Sequence, residues 1–366
     1  MKYHFPYLDF CLSYLPSVKY DLASSSVAFL NPLSLDIDPK LLQLRPSQIE
    51  AVARETIAQA YGTSANCVAL TSGASGANML VAGVIAATFN KPTLLVESPG
   101  YESMTEVPKM FGCQVIAFPR IGCLNSTGDN VDAILDDAIS NDAKAVCLTN
   151  PHNPTGHFLE IRTLQCLADK LQKLEKILYV NEVYLEFAPL HERSTAAGVS
   201  PNVCISSSLT KAYGLGQVRF GWVVGPASFI EDIRQLSLAL NGMPSVPNLA
   251  YGLAGFRLRN QLRLASASQL SQRLAALERL LVSFCPEHRW HRPAMGGFGL
   301  LTLHEIEDDL KFVDDLVKAT SVLVMPGTLL GAPGTVRISF GAWNPDFEES
   351  ATRFAQFAGQ YRLRRH

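Results

Sequence analysis

From about residue 47 to residue 240 the chain alternates short apolar runs with longer segments in which apolar residues return at helical spacing. The runs at 68–70, 93–97, 114–118, 145–149, 177–180, 203–206 and 221–224 have strand length, while 132–139 and 159–173 between them read as helices. Strands that lack polar alternation are buried on both faces, and strands separated by helices are joined by crossovers. The pattern therefore predicts an open, doubly wound α/β unit with a mostly parallel sheet. Its first helix carries local signals as well. Ile49, Val52, Ala53, Ile57 and Ala60 recur at helical spacing, Ser47 stands as N-cap with Glu50 three residues on, and Gly62 lies just past the end.

The flanks differ. Pro6, Pro16, Pro32, Pro39 and Pro46 break any long helix in residues 1–46, which read as an N-terminal segment joining a small domain. After Pro244 and Pro247, a helical stretch at 249–284 leads into apolar runs at 297–303, 322–325 and 336–340. Strands mixed with helices there predict a smaller α+β domain over 241–366, beside a large domain over 47–240.

Composition enters as a set of exclusions. With 31 Lys+Arg against 33 Asp+Glu, the net charge of −2 argues against a chain built to bind nucleic acid or coat an anionic membrane. At 48% hydrophobic and 17% charged, it has the apolar surface for a fully folded globular protein. The longest apolar run, residues 79–89, is shorter than the ~20 residues a spanning helix takes. The start shows no basic stretch followed by an apolar one, so a cytoplasmic location is expected. Cys11, Cys67, Cys113, Cys123, Cys147, Cys166, Cys204 and Cys285 include no C-x-x-C pair and are expected to be reduced thiols.

Four motifs carry chemistry. Thr71-Ser72-Gly73-Ala74-Ser75-Gly76 joins an apolar run to a long apolar helix, and such a turn lets backbone N–H groups at a helix N-terminus approach an anion. Ser208-Leu209-Thr210-Lys211, with Arg219 eight residues beyond the lysine, suggests a phosphate held by hydroxyl and guanidinium, with an amine close by. Burial and a neighbouring cation would lower the pKa of that amine and make it nucleophilic. Asn150-Pro151-His152-Asn153-Pro154-Thr155-Gly156 forms a rigid turn directly after a strand, and Tyr179-Val180-Asn181-Glu182-Val183-Tyr184 closes another strand. Each taken singly could be a plain loop.

In order and spacing together, these pieces resemble the fold-type-I pyridoxal-phosphate enzymes, in particular the class I/II aminotransferase family, from about Ser47 to the C-terminus. The resemblance implies an aspartate-aminotransferase-like fold, pyridoxal 5′-phosphate as cofactor and a homodimer. It implies that Lys211 forms a Schiff base with the cofactor and later shuttles a proton. The N–H groups at Gly73, Ala74 and Ser75, with Ser208 and Arg219, would grip the phosphate. Tyr101 would stack on the cofactor ring, and Asn153 and Tyr184 would donate to its phenolic oxygen. Arg337, in Val336-Arg337-Ile338-Ser339-Phe340-Gly341, would clamp the substrate α-carboxylate beside Asn153.

Two positions depart from the family. Asn181 stands where the family carries an aspartate that keeps the pyridine nitrogen protonated, and an amide supplies no such charge. The expectation is that Asn181 donates to a neutral pyridine nitrogen, giving a weaker electron sink with slower or altered chemistry; the alternatives are an engineered change, or a neutral one in which water or a neighbour replaces the carboxylate. The stretch Asp38-Pro39-Lys40-Leu41-Leu42-Gln43-Leu44-Arg45 also lacks the tyrosine that relatives often present to the neighbouring subunit's phosphate. Transamination of an amino acid with a 2-oxo acid is the leading reading. A lyase, or a cyclase of the capreomycidine-forming kind, is the alternative. A non-catalytic effector-binding module would need a helix-turn-helix domain that the proline-broken residues before Gly73 do not house.

Other residues receive plainer readings. His152 and His157 are expected in loop or supporting roles, and His288 and His291 in a surface loop without a metal. Arg257, Arg259 and Arg263 are helix residues, and Arg362, Arg364, Arg365 and His366 form a basic tail at a solvated helix end.

Overall fold

A computed structural model of the chain describes residues 4–120, 131–188, 193–342, 344 and 346–361. Cys123 and the basic tail at 362–366 lie outside the described residues. The chain opens with α1 (Pro6–Tyr14) and β1 (Tyr20–Asp21). The large sheet and its helices follow as α2 (Pro46–Tyr61), β2 (Val68–Ser72), α3 (Gly73–Thr88), β3 (Thr93–Ser98), α4 (Glu102–Met110), β4 (Gln114–Pro119), α5 (Val131–Ser140), β5 (Ala145–Thr149), α6 (Ile161–Gln172), β6 (Ile177–Asn181), β7 (Val203–Ser208), β8 (Phe220–Val224) and α7 (Ala227–Asn241). Beyond them lie α8 (Val246–Phe284), β9 (Arg289–His291), β10 (Phe298–Thr302), α9 (Asp309–Thr320), β11 (Val322–Leu323), β12 (Met325–Pro326), β13 (Thr335–Ser339) and α10 (Phe347–Gln360).

Seven strands form one sheet in the order β2-β8-β7-β6-β5-β3-β4, parallel throughout except for β8, which runs against both neighbours. Successive residues enter opposite cores, which is why the strands read as unbroken apolar runs. Leu95, Val146, Leu148, Leu178 and Val180 join one cluster with α2 and α6, while Leu94, Val96, Cys147 and Tyr179 join another with α3 and α7. The apolar run at 79–89 lies largely within α3, whose residues from Leu80 to Ala86 are all buried. Among the described residues no helix is long and apolar enough to cross a membrane. The described cysteines are all free thiols.

A four-stranded antiparallel sheet, β12-β13-β10-β9, carries a separate core that takes in Tyr7, Tyr20 and Leu22 from the N-terminal segment. Leu35 and Leu41 of that same segment pack instead on the core of the large sheet.

Several local expectations change on folding. α2 begins at Pro46 with Arg45 as its cap, and the Gln48 side chain accepts a 2.9 Å bond from the Arg45 N–H, displacing the Ser47–Glu50 pair. Proline at the first position explains this: its missing N–H would go unpaired there in any case. Gly62 closes the helix with φ +63°. The run at 322–325 splits, because Val322 and Leu323 pair with β1 while Met325 pairs with β13. His288 and His291 are not in a surface loop. His288 is buried and accepts from the His304 N–H at Nδ1, 3.1 Å away, and His291 sits in β9 with Nε2 2.8 Å from Thr302 Oγ1.

One ion pair fixes the edge of the sheet where the parallel strands end. Glu97 and Arg120, 1% and 3% exposed, pair directly; Glu97 also accepts from the Thr149 N–H at 2.7 Å, and Arg120 donates to the Thr149 carbonyl at 3.2 Å. Together they hold the end of β5 just before the Asn150 turn. Burial pushes the Glu97 carboxyl up to about 7, and Arg120 and the Thr149 N–H pull the other way. Arg120→Met would leave a buried carboxyl without its cation, so stability is expected to fall by about 3–5 kcal/mol. Denaturant unfolding checks this, and a loss below 1 kcal/mol would contradict it.

Candidate active site

The C-terminal ends of β3, β5, β6 and β7 share one edge of the large sheet, where open α/β sheets bind ligands. A cavity of about 260 Å³ opens there, and its walls include Ala74, Ser75, Tyr101, Asn153, Asn181, Tyr184, Lys211 and Arg219. Gly73, next to Ala74 in the chain, and Ser208 are buried and outside that lining, and Arg337 stands behind Asn153.

One end of the cavity is built for an anion. The N-terminus of α3 begins at Gly73, whose φ of +69° only glycine adopts without strain. Arg219, itself left-handed at φ +55°, lays its guanidinium across this turn and donates to the Ser72 carbonyl at 2.8 Å and the Gly216 carbonyl at 3.2 Å. A Cβ on Gly73 would meet Arg219 Nη2 at 2.7 Å. Gly73→Ala is therefore expected to cost about 1–2 kcal/mol from the backbone alone. By moving Arg219 it should also weaken titration with pyridoxal phosphate by about tenfold. Thermal unfolding and a cofactor titration read the two effects separately.

The centre holds the amine. Lys211 Nζ donates to Ser25 Oγ at 3.0 Å, and the Tyr184 hydroxyl donates to the same oxygen at 3.0 Å. Burial lowers the pKa of Lys211, and the Arg337 and Arg219 charges lower it further against the opposing pull of Tyr7 and Cys11. Tyr184 is also packed edge-on against Phe298, 5.0 Å between centroids. Burial raises its phenol pKa, so it remains a hydrogen-bond donor at neutral pH.

Arg337, on β13, is fully buried. Its Nη1 donates to Asn153 Oδ1 at 2.7 Å, and its Nη2 to the Tyr7 hydroxyl at 3.0 Å and the Ala23 carbonyl at 2.6 Å, while Nε has no hydrogen-bond partner. The N-terminal segment is thus part of the site. Glu102 anchors α1 by accepting from the N–H groups of Tyr7 and Leu8, at 2.9 and 3.0 Å, and the Tyr7 ring meets Tyr101 edge-on at 5.2 Å.

Asn181, at the end of β6, is 4% exposed. Its Oδ1 accepts from the Val183 N–H at 3.1 Å and its Nδ2 donates to Asn78 Oδ1 at 3.1 Å. His152 lies under the turn as a neutral imidazole, because burial and the Arg120 charge hold its pKa well below the usual range. It donates from Nε2 to the Pro99 carbonyl at 2.7 Å, with Thr155 Oγ1 at 2.8 Å from Nδ1.

Sequence reasoning missed Ser25, Tyr7 and Asn78. The run Ser24-Ser25-Ser26 sits in a segment read only as proline-broken, and a cluster of small hydroxyl residues was the one available signal. Asn78 was visible as a polar residue inside an otherwise apolar helix. No group of three or more metal-ligating side chains occurs among the described residues.

The family model for aminotransferase class I and II matches residues 22–353. Histidinol-phosphate aminotransferase of Rubrobacter xylanophilus is 26% identical over 310 residues, 81% of this chain and 79% of its own. Alanine aminotransferase of Mycobacterium bovis is 28% identical over 294 residues, 75% of this chain and 67% of its own. Among solved structures, the pyridoxal-phosphate-dependent cyclase OrfR superposes with a TM-score of 0.84 at 22% identity, covering 99% of this chain and 98% of that one. A pyridoxal-phosphate-dependent aminotransferase from Streptococcus suis gives 0.84 at 21% identity, covering 100% and 99%. The fold is that of the aspartate aminotransferases, and the chain is a pyridoxal-phosphate-dependent enzyme. It belongs to the class I and II aminotransferase family.

Proposed function

We propose that this chain exchanges an amino group between an amino acid and a 2-oxo acid by ping-pong chemistry, with pyridoxal phosphate held in the cavity at the end of the parallel strands. The observation that carries the reading is the Lys211 amine, lowered in pKa by burial and facing the same cavity as the α3 N-terminus and Arg219. The residues fit the cofactor. Gly73, Ala74, Ser75, Ser208 and Arg219 would hold its phosphate, Tyr101 its ring face, and Asn153 and Tyr184 its phenolic oxygen. When bound, pyridoxal phosphate supplies an aldehyde that condenses with amines and a ring that withdraws electrons from the carbon bearing the amino group.

The chain's own groups supply the rest. Lys211 would hold the cofactor through its aldehyde carbon, be displaced there by the incoming amino group and then, as a free amine, take the proton from the substrate Cα and deliver it across the intervening nitrogen to that former aldehyde carbon. Arg337 and Asn153 fix the α-carboxylate, which orients that Cα–H bond toward Lys211. Ser25, bonded to both Lys211 and Tyr184, keeps the amine from drifting when it is free.

A second reading, a lyase or cyclase acting on a modified amino acid, is favoured by Asn181, since an amide at the ring nitrogen weakens the electron sink that transamination uses. One experiment separates the two. The purified holoenzyme is given a panel of amino acids while the cofactor absorbance and the product masses are followed. Transamination gives a keto acid and a spectrum that recovers only on adding a 2-oxo acid; an alkene or ring with no need for the 2-oxo acid would overturn it.

The same reading carries a homodimer, supported by the exposed apolar side chains Leu238, Leu240 and Met243, a cytoplasmic location and the division into 1–46, 47–240 and 241–366. Sedimentation tests the first of these.

A further inference from the structure

We propose that Asn181 receives the pyridine nitrogen of the cofactor in its unprotonated form, so that this enzyme works with a neutral ring. The proposal rests on pyridoxal phosphate occupying the Lys211 cavity, and it specifies the ionisation state in which that cavity holds the group.

The orientation of the Asn181 amide is decided by its neighbours. The Val183 N–H can only donate, so the atom 3.1 Å from it must be the amide oxygen. Nδ2 then points to Asn78 Oδ1, 3.1 Å away. That oxygen also accepts from the Tyr179 hydroxyl at 2.6 Å, while Asn78 Nδ2 donates to Ser103 Oγ at 3.2 Å and Tyr179 shares a 2.7 Å bond with Ser206. Turning the Asn181 amide over would set N–H against N–H at Val183 and oxygen against oxygen at Asn78, breaking both bonds in a buried place. Asn181 therefore keeps one Oδ1 lone pair and its second Nδ2 hydrogen, and as a neutral amide it offers a ligand no negative charge. Both asparagines face the cavity.

The charges around the cavity act in the same direction. Its described lining includes Arg219 as a cation, Lys211 as an amine, Tyr7, Tyr101 and Tyr184 as phenols, Cys11 as a thiol, and no carboxylate. Arg337 adds a second cation behind Asn153. The nearest acidic residue in sequence, Glu182, is committed to the Thr195 hydroxyl and the Ala196 N–H, both at 2.6 Å. Glu97 is committed to Arg120, and Glu102 to the N–H groups of Tyr7 and Leu8. A pyridinium at Asn181 would be a buried cation with a neutral amide and no carboxylate to pair with, and desolvation disfavours that form. A pyridine lone pair would find a donor. The ring then withdraws electrons less strongly, so proton removal leans more on the placement of Lys211 than on the cofactor.

The test uses holoenzyme reconstituted with pyridoxal phosphate labelled with ¹⁵N in the ring. The wild type is expected to show the ¹⁵N resonance at the position of unprotonated pyridine from pH 6 to 9, and Asn181→Asp is expected to move it to the pyridinium position. A pyridinium resonance in the wild type overturns the proposal. A second measurement does not depend on the variant folding: N-methyl pyridoxal phosphate, permanently cationic, should bind the wild type about tenfold more weakly or worse than pyridoxal phosphate. Equal or tighter binding of the cation overturns it as well. If borohydride reduction of the labelled holoenzyme leaves Lys211 unmodified, the failure lies in the underlying cofactor assignment and the proposal falls with it.

Discussion

Lys211→Ala is expected to lower kcat by at least about 10⁴-fold, because on the proposed function it removes both the nucleophile and the proton carrier, and a positioned acid–base group alone contributes roughly 10²–10⁴-fold. Burial and the flanking Arg337 and Arg219 charges make the amine less basic than a solvent-exposed lysine. The neutral form therefore accumulates as pH rises through a lowered pKa. The acid limb of the rate of reaction with an amino acid should lie below the pH at which an ordinary lysine titrates. Lys211→Arg keeps a cation but not a usable nucleophile and should be as inactive as the alanine variant. Single-turnover spectra of the three proteins, each loaded with pyridoxal phosphate, check the result. A variant that retained a tenth of wild-type turnover would remove Lys211 from the chemistry.

Arg337→Ala is expected to reduce kcat/KM for amino acids by about 10²–10³-fold, since on the proposed function it removes the buried partner of the substrate α-carboxylate, and truncating one partner of such a pair costs about 2–5 kcal/mol. The side chain is fully buried and also binds Tyr7 and the Ala23 carbonyl, so some loss of stability is expected too. A comparison between substrates isolates the binding role. Against the decarboxylated amine of the same substrate, the alanine variant should lose nearly all of the wild type's preference. A purely structural role would slow both substrates alike. Arg337→Lys, which keeps the charge and lacks the planar fork, should recover only part of the preference.

Much of the site was legible because its parts are short and sit at the ends of strands. Thr149-Asn150, Asn181 and Ser208 each follow or close an apolar run, and parallel strands bring such ends to one edge without further instruction. Ala74, Ser75, Tyr101, Asn153, Tyr184, Lys211 and Arg219 line one cavity for that reason. Less was legible where two partners compete for one run. Residues 322–325 look like a single strand, yet Val322–Leu323 and Met325–Pro326 belong to different sheets, because pairing is settled by which edge each residue meets.

The order of strands and helices, the two-sided burial of the sheet and the placing of chemical groups at strand ends were determined by the sequence, through rules that reach only a few residues along the chain. Tertiary structure decided what completes the site. Lys211 meets Ser25 across 186 residues, Asn181 meets Asn78 across 103, and Arg337 meets Tyr7 across 330. Such contacts carry no local period. They form because burying α1 and β1 against the small sheet, and α3 against the large one, delivers these side chains to the cavity as a consequence of packing.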